Sequence, residues 1–399
     1  MPTTAARSVA LGLAVLSAGW LLAACSPAPA GVGSSAKPSS NASPTSTATD
    51  TPFPTKPPAP SLNVTPLPAG TFSVSSVTFV SPQVGWVLGG QHCNGSLLCL
   101  GLMRTENDGT TWTSVTPPPT HLNYIEQPSG GVSQIRFANS QDGWAFDPDL
   151  WATHDGGATW TQILLPGPSS TTYVVSPYDT IFSLETADGL VQAVVSNGNA
   201  EMEIETSPIG VDDWTASPTT VEFGAGPAPM PQLVLQGSLG WLLEDDRTVI
   251  GGARLINGQW QPWQPPCLNV NGPALLAASS AQYLVAICDQ GLWGPASPAG
   301  VRAYVSTNGG ASFGLLTTPV PSYGSVASPA PGVIVLPGEA TFDGGATWTT
   351  VSAPTDVKYV GFETSTQGVA IAVNGAGVIP VGSLLMTFDG GHIWITVTF

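Results

Sequence analysis

Charged side chains are scarce in this sequence. Asp, Glu, Lys and Arg make up only 9% of its 399 residues, and only nine residues are Lys or Arg. Because long helices draw heavily on Glu and Lys, a fold built from such helices is not expected. The formal net charge is −17. An acidic surface repels phosphate groups, so we expect no nucleic-acid partner.

Histidine is also rare, which limits the possible chemistry. The sequence contains neither a phosphate-binding glycine loop nor a Gly-x-Ser-x-Gly nucleophile motif. The four histidines show none of the usual spacings of a metal site, so we predict no metal and no cofactor. They are His92, His121, His154 and His392.

Glycine, proline and tryptophan are abundant instead. The chain has 46 Gly, 39 Pro and 13 Trp, a mixture of turn formers and aromatic residues that favours many short strands. No sustained helical periodicity is present after residue 25. The composition therefore predicts an all-β fold.

The first 25 residues have the order of a secretory signal. Arg7 supplies a positive charge, Val9–Leu22 is apolar, and Leu22-Ala23-Ala24-Cys25 follows. The last four residues resemble a bacterial lipobox. This resemblance implies cleavage before Cys25, acylation of that cysteine and an anchor on the outer side of the cell membrane. An ordinary signal or an uncleaved membrane anchor is the alternative.

The next segment, up to residue 69, is rich in Pro, Ser, Thr and Ala and has almost nothing to bury. We expect it to stay disordered and to act as a tether. The predicted organisation is a signal peptide (1–24), a lipidated Cys25 with its Pro/Ser/Thr-rich tether (25–69) and a folded domain (70–399).

A short motif recurs in the folded region. Its aromatic residues are spaced by 48, 54, 46, 53, 35 and 46 residues, a period typical of the four-stranded blades of a β-propeller. The copies are TENDGTTW (105–112), THDGGATW (153–160), STNGGASF (306–313), TFDGGATW (341–348) and TFDGGHIW (387–394), with weaker copies around Trp214 and Trp260.

The motif has the chemistry of a hairpin turn. Asp-Gly suits a turn that needs positive φ, and the Asp carboxylate can accept hydrogen bonds from turn N–H groups. The aromatic residue that follows can pack against the neighbouring blade. We therefore predict a structural role for these residues. They are Asp108, Trp112, Asp155, Trp160, Asn308, Phe313, Asp343, Trp348, Asp389 and Trp394.

A second marker precedes the hairpins. Gly-Trp follows a polar turn in VSPQVGWVL (80–88), ANSQDGWAF (138–146) and LQGSLGWLL (235–243), and ETSTQGVAI (363–371) is a degraded copy. Each blade is thus predicted to contain strand A, a turn, the Gly-Trp strand B, a loop, strand C, the Asp-Gly turn and strand D. We predict one seven-bladed β-propeller of four-stranded antiparallel blades. Six or eight blades are the alternatives, and the mode of ring closure stays open.

The hairpin copies resemble the Asp-box (BNR) repeats of the sialidase-like propeller superfamily, which also occur in glucan-degrading hydrolases and sortilin-type receptors. The combination of a Gly-Trp strand with a DGG-x-TW hairpin is most similar to the photosystem II assembly and stability factor family, whose members are seven-bladed propellers. The resemblance covers about residues 70–399. It implies the fold but no activity, because one fold hosts many functions.

A binding site is expected on the face that carries the B–C and D–A connections, or at the mouth of the channel. The carboxylates there would suit a glycoside hydrolase, which needs a carboxylate pair, but Asp is also a common turn residue. We predict no catalytic residue. The candidate ligand-binding residues are Asp147, Asp149, Glu244, Asp245, Asp246, Asp289, Trp293, His121 and Tyr124.

Four cysteines remain after Cys25. Export favours disulfides, and four cysteines allow three connectivities. We favour Cys93–Cys99 and Cys267–Cys288, because both pairs are local and both lie on the predicted binding face.

The sequence favours a membrane-anchored, extracytoplasmic lipoprotein whose propeller binds or scaffolds an unidentified protein or glycan without catalysis. A glycoside hydrolase with paired carboxylates is one alternative, and an assembly factor for a membrane protein complex is another. Sialidase activity is not expected. Such enzymes hold a substrate carboxylate with three arginines, and the motif that begins this set does not precede Arg104.

Overall fold

The computed structural model describes residues 72–93, 96–123, 130–165, 180–196, 202–217, 231–245, 249–268, 272–289, 300–352, 356–374 and 381–399. The predicted signal peptide and tether lie outside the described residues, as does Cys25. For a few strand residues, Cys93 and Asp245 among them, only the backbone is described.

The strands form seven sheets, which we number as blades 1 to 7 in chain order. Blade 1 contains β1 (Phe72–Phe79), β2 (Gly85–Cys93), β3 (Ser96–Thr105) and β4 (Thr113–Val115). Blade 2 contains β5 (Gln134–Phe137), β6 (Gly143–Phe146), β7 (Leu150–Thr153) and β8 (Thr161–Ile163). Blade 3 contains β9 (Thr180–Ala187), β10 (Leu190–Ser196), β11 (Met202–Pro208) and β12 (Thr215–Ala216). Blade 4 contains β13 (Gln232–Gln236), β14 (Leu239–Asp245), β15 (Val249–Ile256) and β16 (Gln259–Pro262).

The remaining three blades follow in the same way. Blade 5 contains β17 (Ala274–Ala278), β18 (Leu284–Asp289), β19 (Val301–Ser306) and β20 (Gly314–Leu315). Blade 6 contains β21 (Ile334–Leu336), β22 (Glu339–Thr341) and β23 (Thr349–Thr350). Blade 7 contains β24 (Val357–Phe362), β25 (Gly368–Asn374), β26 (Val381–Thr387) and β27 (Ile395–Thr396). Within the described ranges, no helix has the length and apolar character needed to cross a membrane.

Each sheet is an antiparallel meander of consecutive strands. The seven-bladed β-propeller predicted from the repeats is therefore confirmed, with strands in the order A, B, C and D and the repeated hairpin between C and D. The Gly-Trp pairs at Gly85, Gly143 and Gly240 lie at or near the start of strand B, as the pattern predicts.

Blade 6 is the short blade, and it explains the spacing of only 35 residues between Phe313 and Trp348. Its first strand is reduced to one bridge, in which Ala327 and Val335 exchange two backbone hydrogen bonds of 3.0 and 2.9 Å. Strands β21 and β22 are joined by a two-residue turn at Pro337-Gly338. Blade 6 therefore retains the propeller contacts with far fewer residues.

In blades 1 to 5, the first strand of each blade contacts the first strand of the next blade, which places these strands on the inner side of the ring. These strands are sheet edges, so some of their backbone N–H groups lack a ladder partner. Polar side chains of a neighbouring first strand accept from them: Ser76 Oγ from Ile135 N (3.1 Å), and Gln232 Oε1 from Leu276 N (2.8 Å). Serine and glutamine thus join blades that share no backbone ladder.

The repeated hairpins share one hydrogen-bond pattern. The Thr or Ser that opens the motif accepts from the second turn glycine, as Thr153 Oγ1 does from Gly157 N (3.0 Å). Two residues later, the Asp carboxylate accepts from the backbone N–H four positions ahead, as Asp155 Oδ1 does from Thr159 N (2.8 Å). Asn308, Asp343 and Asp389 accept in the same way.

The first hairpin corrects the prediction for Asp108. Here Asn107 makes the corresponding bonds, since its Oδ1 accepts from Thr111 N (2.9 Å) and Thr105 Oγ1 (3.1 Å). Asp108 instead occupies the position of the first turn glycine, with φ of 59°. Asp tolerates this left-handed conformation better than most residues, which is why the motif survives without a glycine there.

Aromatic side chains of the hairpins pack between blades. Trp160 contacts a blade 1 cluster that includes Leu102 and Val115, and its indole N–H donates to Thr116 O (2.9 Å). Trp394 of blade 7 lies in a cluster with Val351 of blade 6. Each of these rings therefore joins its blade to the preceding one.

The Gly-Trp side chains make the opposite link, to the following blade. Trp86 and Trp241 are fully buried, and their indole N–H groups donate to Gly156 O (3.2 Å) and Gly309 O (3.1 Å) of the next hairpin. Trp144 is equally buried, but the blade 3 hairpin lacks the Asp-Gly-Gly sequence. Among the described residues its Nε1 finds no acceptor.

Ring closure, which the sequence left open, occurs between two complete sheets. In the described part of the chain, blade 1 uses only strands β1–β4 and blade 7 only β24–β27. Phe72 and Trp112 pack against Phe399 with ring centroids 5.1 and 5.5 Å apart. Gln367 Nε2 donates to Pro82 O (2.8 Å) and Gly382 N to Ser73 Oγ (2.9 Å).

Candidate functional site

A cavity of about 430 Å³ lies where the first strands of blades 7, 1 and 2 begin. It is therefore at the mouth of the central channel, on the face that carries the D–A and B–C connections. We refer to it as the channel-mouth cavity. Its polar lining comes from Ser73, Ser75, Ser76, Asn123, Gln134, Arg136, Lys358 and Tyr359.

Arg136 lies on β5 at the floor of this cavity. Its Nη2 is 2.6 Å from Glu185 Oε1 on β9 of blade 3, and its side chain is 22% exposed. Burial disfavours the charged guanidinium, but Glu185 and Tyr359 outweigh this effect, so the pKa of Arg136 is raised. Arg136 is thus a fixed cation that joins residues of three blades.

Glu363 is an exposed residue in the turn that follows strand β24, and it lines a small pocket together with Arg136 and Tyr359. Partial desolvation raises the pKa of Glu363 to about 7, although Arg136 opposes the rise.

Positive charge is concentrated at this mouth. The described residues include five Lys and Arg side chains, Arg104, Arg136, Arg254, Arg302 and Lys358. Two of them, Arg136 and the exposed Lys358, line the one channel-mouth cavity. Because Arg136 is paired with Glu185, the exposed Lys358 is the cation of this cavity that has no ion pair among the described residues and can attract an anion.

Two of the candidate carboxylates predicted from the sequence support the wall of this cavity. Asp147 accepts from Ser133 Oγ and, at 3.3 Å, from Gln134 Nε2, while Asn123 Nδ2 donates to its backbone carbonyl (3.4 Å). Asp149 Oδ2 accepts from Gly131 N at 2.8 Å. These carboxylates hold the loop that precedes β5, and Asp147 positions two residues that line the cavity.

The other described candidates lie apart from the cavity lining. Glu244, at the end of β14, is only 3% exposed, and burial raises the pKa of its carboxyl group to about 7. Asp289 is buried at the end of β18, and its N–H donates to Pro273 O (3.0 Å). His121 precedes the cavity residue Leu122, and its carbonyl accepts from Val132 N (3.0 Å).

Several predicted residues lie outside the described residues. They are Tyr124, Asp246, Trp293 and the side chain of Asp245. In the described ranges, no three His, Cys, Asp or Glu side chains meet in a group suited to a metal ion.

The disulfide prediction is confirmed for Cys267–Cys288, whose Cα atoms are 5.6 Å apart. Both cysteines are buried, and the bond joins the segment after blade 4 to strand β18 of blade 5. Cys99 is disulfide-bonded, while the side chain of its predicted partner Cys93 lies outside those described.

Sequence reasoning missed the residues that give the cavity its charge. Arg136 and Lys358 interrupt the apolar strands QIRF and VKYVGF, and a charged residue within such a strand was the available signal. No pattern in the sequence shows that these two strands, more than 200 residues apart, flank β1 at one mouth.

The fold and this cavity define the protein as a seven-bladed β-propeller with a pocket at one mouth of its channel that Arg136 and Lys358 line. Among solved structures, the chain is similar to YCF48 bound to D1 peptide, with 17% identity and a TM-score of 0.51 over 82% of this chain and 96% of that one. It is also similar to YCF48 from Cyanidioschyzon merolae, with 15% identity and a TM-score of 0.52 over 82% of this chain and 98% of that one.

A puromycin-hydrolyzing peptidase of Mycobacterium tuberculosis is also similar, with 14% identity and a TM-score of 0.51 over 80% of this chain and 51% of that one. No protein-family model matches the chain, and no curated protein matches it either. At these identities the similarities show the fold alone.

Proposed function

We propose that the protein is an extracytoplasmic lipoprotein whose propeller binds a segment of a partner protein at the channel-mouth cavity and catalyses no reaction. The observation that carries the proposal is the placement of Arg136 and Lys358 in one cavity of a strongly acidic chain. The group they would recognise is a carboxylate, either a chain terminus or an acidic side chain of the partner.

The shape of the site supports a peptide as the ligand. A volume of about 430 Å³ accommodates a few residues of an extended segment. Serine hydroxyls and the Gln134 amide on its wall suit backbone amide groups. The solved complex of YCF48 with a D1 peptide provides a precedent for peptide binding by a propeller of this fold.

The test measures peptide binding by fluorescence anisotropy. Synthetic peptides of about 15 residues, equal in length, would differ in net charge and in having a free or amidated C-terminus. We expect acidic peptides to bind, and Lys358→Ala to weaken binding roughly tenfold, since a charge-assisted hydrogen bond contributes about 1.5–3 kcal/mol.

Gln162→Glu is the matched control, because it changes the net charge equally on the exposed outer strand of blade 2. Binding that decreases equally in both variants would reflect overall charge and not this cavity. Tight binding of basic peptides would contradict the proposal.

The membrane anchor is a separate part of the proposal and rests on the Leu22-Ala23-Ala24-Cys25 pattern. Cells expressing the protein would be labelled with radioactive palmitate. We expect the label on the wild type and not on Cys25→Ala, which should also leave the membrane fraction. Unlabelled wild-type protein would remove the anchor without affecting the peptide test.

A role as an assembly factor for a membrane protein complex is compatible with this site. Both YCF48 structures share the fold, and an anchored propeller would meet membrane-protein segments at short range. Under this hypothesis, deletion of the gene would reduce the amount of one membrane complex, and a variant with Lys358→Ala would not restore it.

A glycoside hydrolase with paired carboxylates is the second candidate function, and Glu363, in the pocket that Arg136 and Tyr359 also line, would be its general acid. A pKa of about 7 suits a general acid. Purified protein would be screened against a panel of aryl glycosides. Turnover that is lost in Glu363→Gln would replace the binding function with this one.

A further inference from the structure

A second cavity lies away from the axis, between blades 4 and 5. Its volume is about 500 Å³, within the range of small-ligand sites. We refer to it as the interblade cavity. Strands β15 and β16, the segment after β16, strand β19 and the blade 5 hairpin form its walls. It is separate in both lining and location from the channel-mouth cavity.

Three aromatic side chains, Trp263, Tyr304 and Phe313, line the interblade cavity. The indole N–H of Trp263 donates to Gly310 O at 2.8 Å, and its ring is 6.0 Å from that of Phe313 at an angle of 42°. A Cβ at Gly252 would lie only 3.0 Å from the indole, so the glycine allows the ring to lie close to the strand. The indole is therefore held in one orientation before any ligand arrives.

Polar side chains that line the interblade cavity have hydrogen-bond donors and acceptors available for a ligand. Arg254 uses Nη1 to donate to Gly309 O (3.0 Å), which leaves most of its five donors unused by that bond. Gln261 and Gln264 are exposed at the rim. Neither amide, nor the Tyr304 hydroxyl, makes a side-chain hydrogen bond within the described ranges.

The cavity arises where the repeat departs from its pattern. In the hairpin of blade 2, the large indole of Trp160 packs against blade 1 and donates to Thr116 O. In the hairpin of blade 5, the smaller ring of Phe313 stands at that position, and Trp263 enters from blade 4. The disulfide of Cys267 with Cys288 joins the two blades next to this point.

We propose that the interblade cavity binds carbohydrate. A pyranose ring presents a face of C–H groups, which stacks on the electron-rich face of an aromatic ring such as Trp263. Its hydroxyls each donate and accept, so they can satisfy the carboxamides of Gln261 and Gln264 and the guanidinium of Arg254 together. A proline-rich peptide would also stack on these rings, but its prolines have no N–H donors for the carboxamide oxygens.

The ligand would be a short segment of a polysaccharide, since the cavity holds one or two sugar rings and is open at its rim. This site is independent of the proposed peptide-binding function. A lipid-anchored propeller with both sites would hold a glycan and a protein segment at the same time.

The test uses the full-length protein and three probes: cellohexaose, laminarihexaose and N-acetylchitohexaose. Saturation-transfer NMR and isothermal titration would measure binding at millimolar sugar concentrations. We expect at least one hexasaccharide to bind. Gln261→Ala with Gln264→Ala should weaken binding about three- to tenfold, and Trp263→Phe by tenfold or more, because they remove polar contacts and stacking area respectively.

The glutamine variants are exposed and should leave the melting temperature unchanged, which keeps the test valid if Trp263→Phe is unstable. Lys358→Ala should bind sugar as the wild type does, which separates this site from the peptide site. The proposal is overturned if none of the three sugars binds, if the glutamine variants bind them unchanged, or if a polyproline peptide displaces them from the cavity.

Discussion

His154 should make the stability of the propeller depend on pH near neutrality. Its Nδ1 is 2.8 Å from Asp142 Oδ1, and its Nε2 is 2.8 Å from Asp212 Oδ2. A neutral imidazole carries only one N–H, so it could donate to only one of the two carboxylates. The protonated ring donates to both, and it joins the blade 2 hairpin to the blade 3 hairpin.

The sign of the effect follows from the pKa. Burial lowers the pKa of His154, but the hydrogen bonds with Asp142 and Asp212 outweigh burial and raise it above its ordinary value of 6.5. A group whose pKa is higher in the folded state contributes its stabilisation fully below the unfolded pKa. That contribution is lost as the pH rises through the folded pKa.

The magnitude is modest because the ring is 40% exposed. Exposed ion pairs contribute about 0.2–1 kcal/mol each, so the two contacts together should contribute about 1 kcal/mol. For a domain of this size, that corresponds to a melting-temperature change of about 2 °C.

Thermal unfolding of the wild type and His154→Asn, at about pH 5.5 and about pH 8.5, provides the assay. We expect the wild type to be more stable than the variant at the lower pH and nearly equal to it at the higher. His392→Asn is the control, since His392 occupies the hairpin of blade 7 and stacks on Phe342. A difference that is the same at both pH values, or larger at the higher one, would refute the reasoning.

Three further predictions concern the buried parts of the fold. Glu244→Gln should raise the free energy of unfolding above pH 7 by up to about 3 kcal/mol and leave it unchanged near pH 4. The reason is that burial raises the pKa of Glu244 to about 7, so its charged form is disfavoured in the folded protein. Urea titrations at both pH values measure this difference. Replacing Cys267 and Cys288 with alanine should cost about 3 kcal/mol by the loop-closure estimate for a separation of 21 residues, and calorimetry of this variant and the wild type under non-reducing conditions, which keep the disulfide of Cys99 intact, measures the loss. Trp241→Phe should cost about 1 kcal/mol more than Trp144→Phe, since only Trp241 loses an indole hydrogen bond; equal losses in denaturant titrations would contradict this.

The fold was predictable because its signals are local. Each hairpin carries its own turn glycine, its own Asp or Asn acceptor and its own aromatic ring, so the motif determines one blade without reference to distant residues. The first hairpin shows the limit of this reasoning. The Asp-Gly pattern matches Asp108-Gly109, but the side chain of Asn107 makes the turn hydrogen bonds.

The candidate site was less predictable because it depends on distant parts of the chain. The sequence indicated the correct face, and Asp147 does support the wall of the cavity there. The cations Arg136 and Lys358 come together only when blade 7 closes onto blade 1. Their common cavity forms only when the ring closes, so no local sequence pattern predicts it.

The meeting of blades 1 and 7 has a mechanical consequence. In the described part of the chain, neither sheet contributes a strand to the other. Contacts of Phe72 and Trp112 with Phe399 therefore join the two blades, and separating the blades would break no backbone ladder within a sheet. The channel-mouth cavity lies across this interface, with Lys358 on blade 7 and Arg136 on blade 2, and β1 of blade 1 lies between them. A ligand that contacts both cations would therefore stabilise the closed ring.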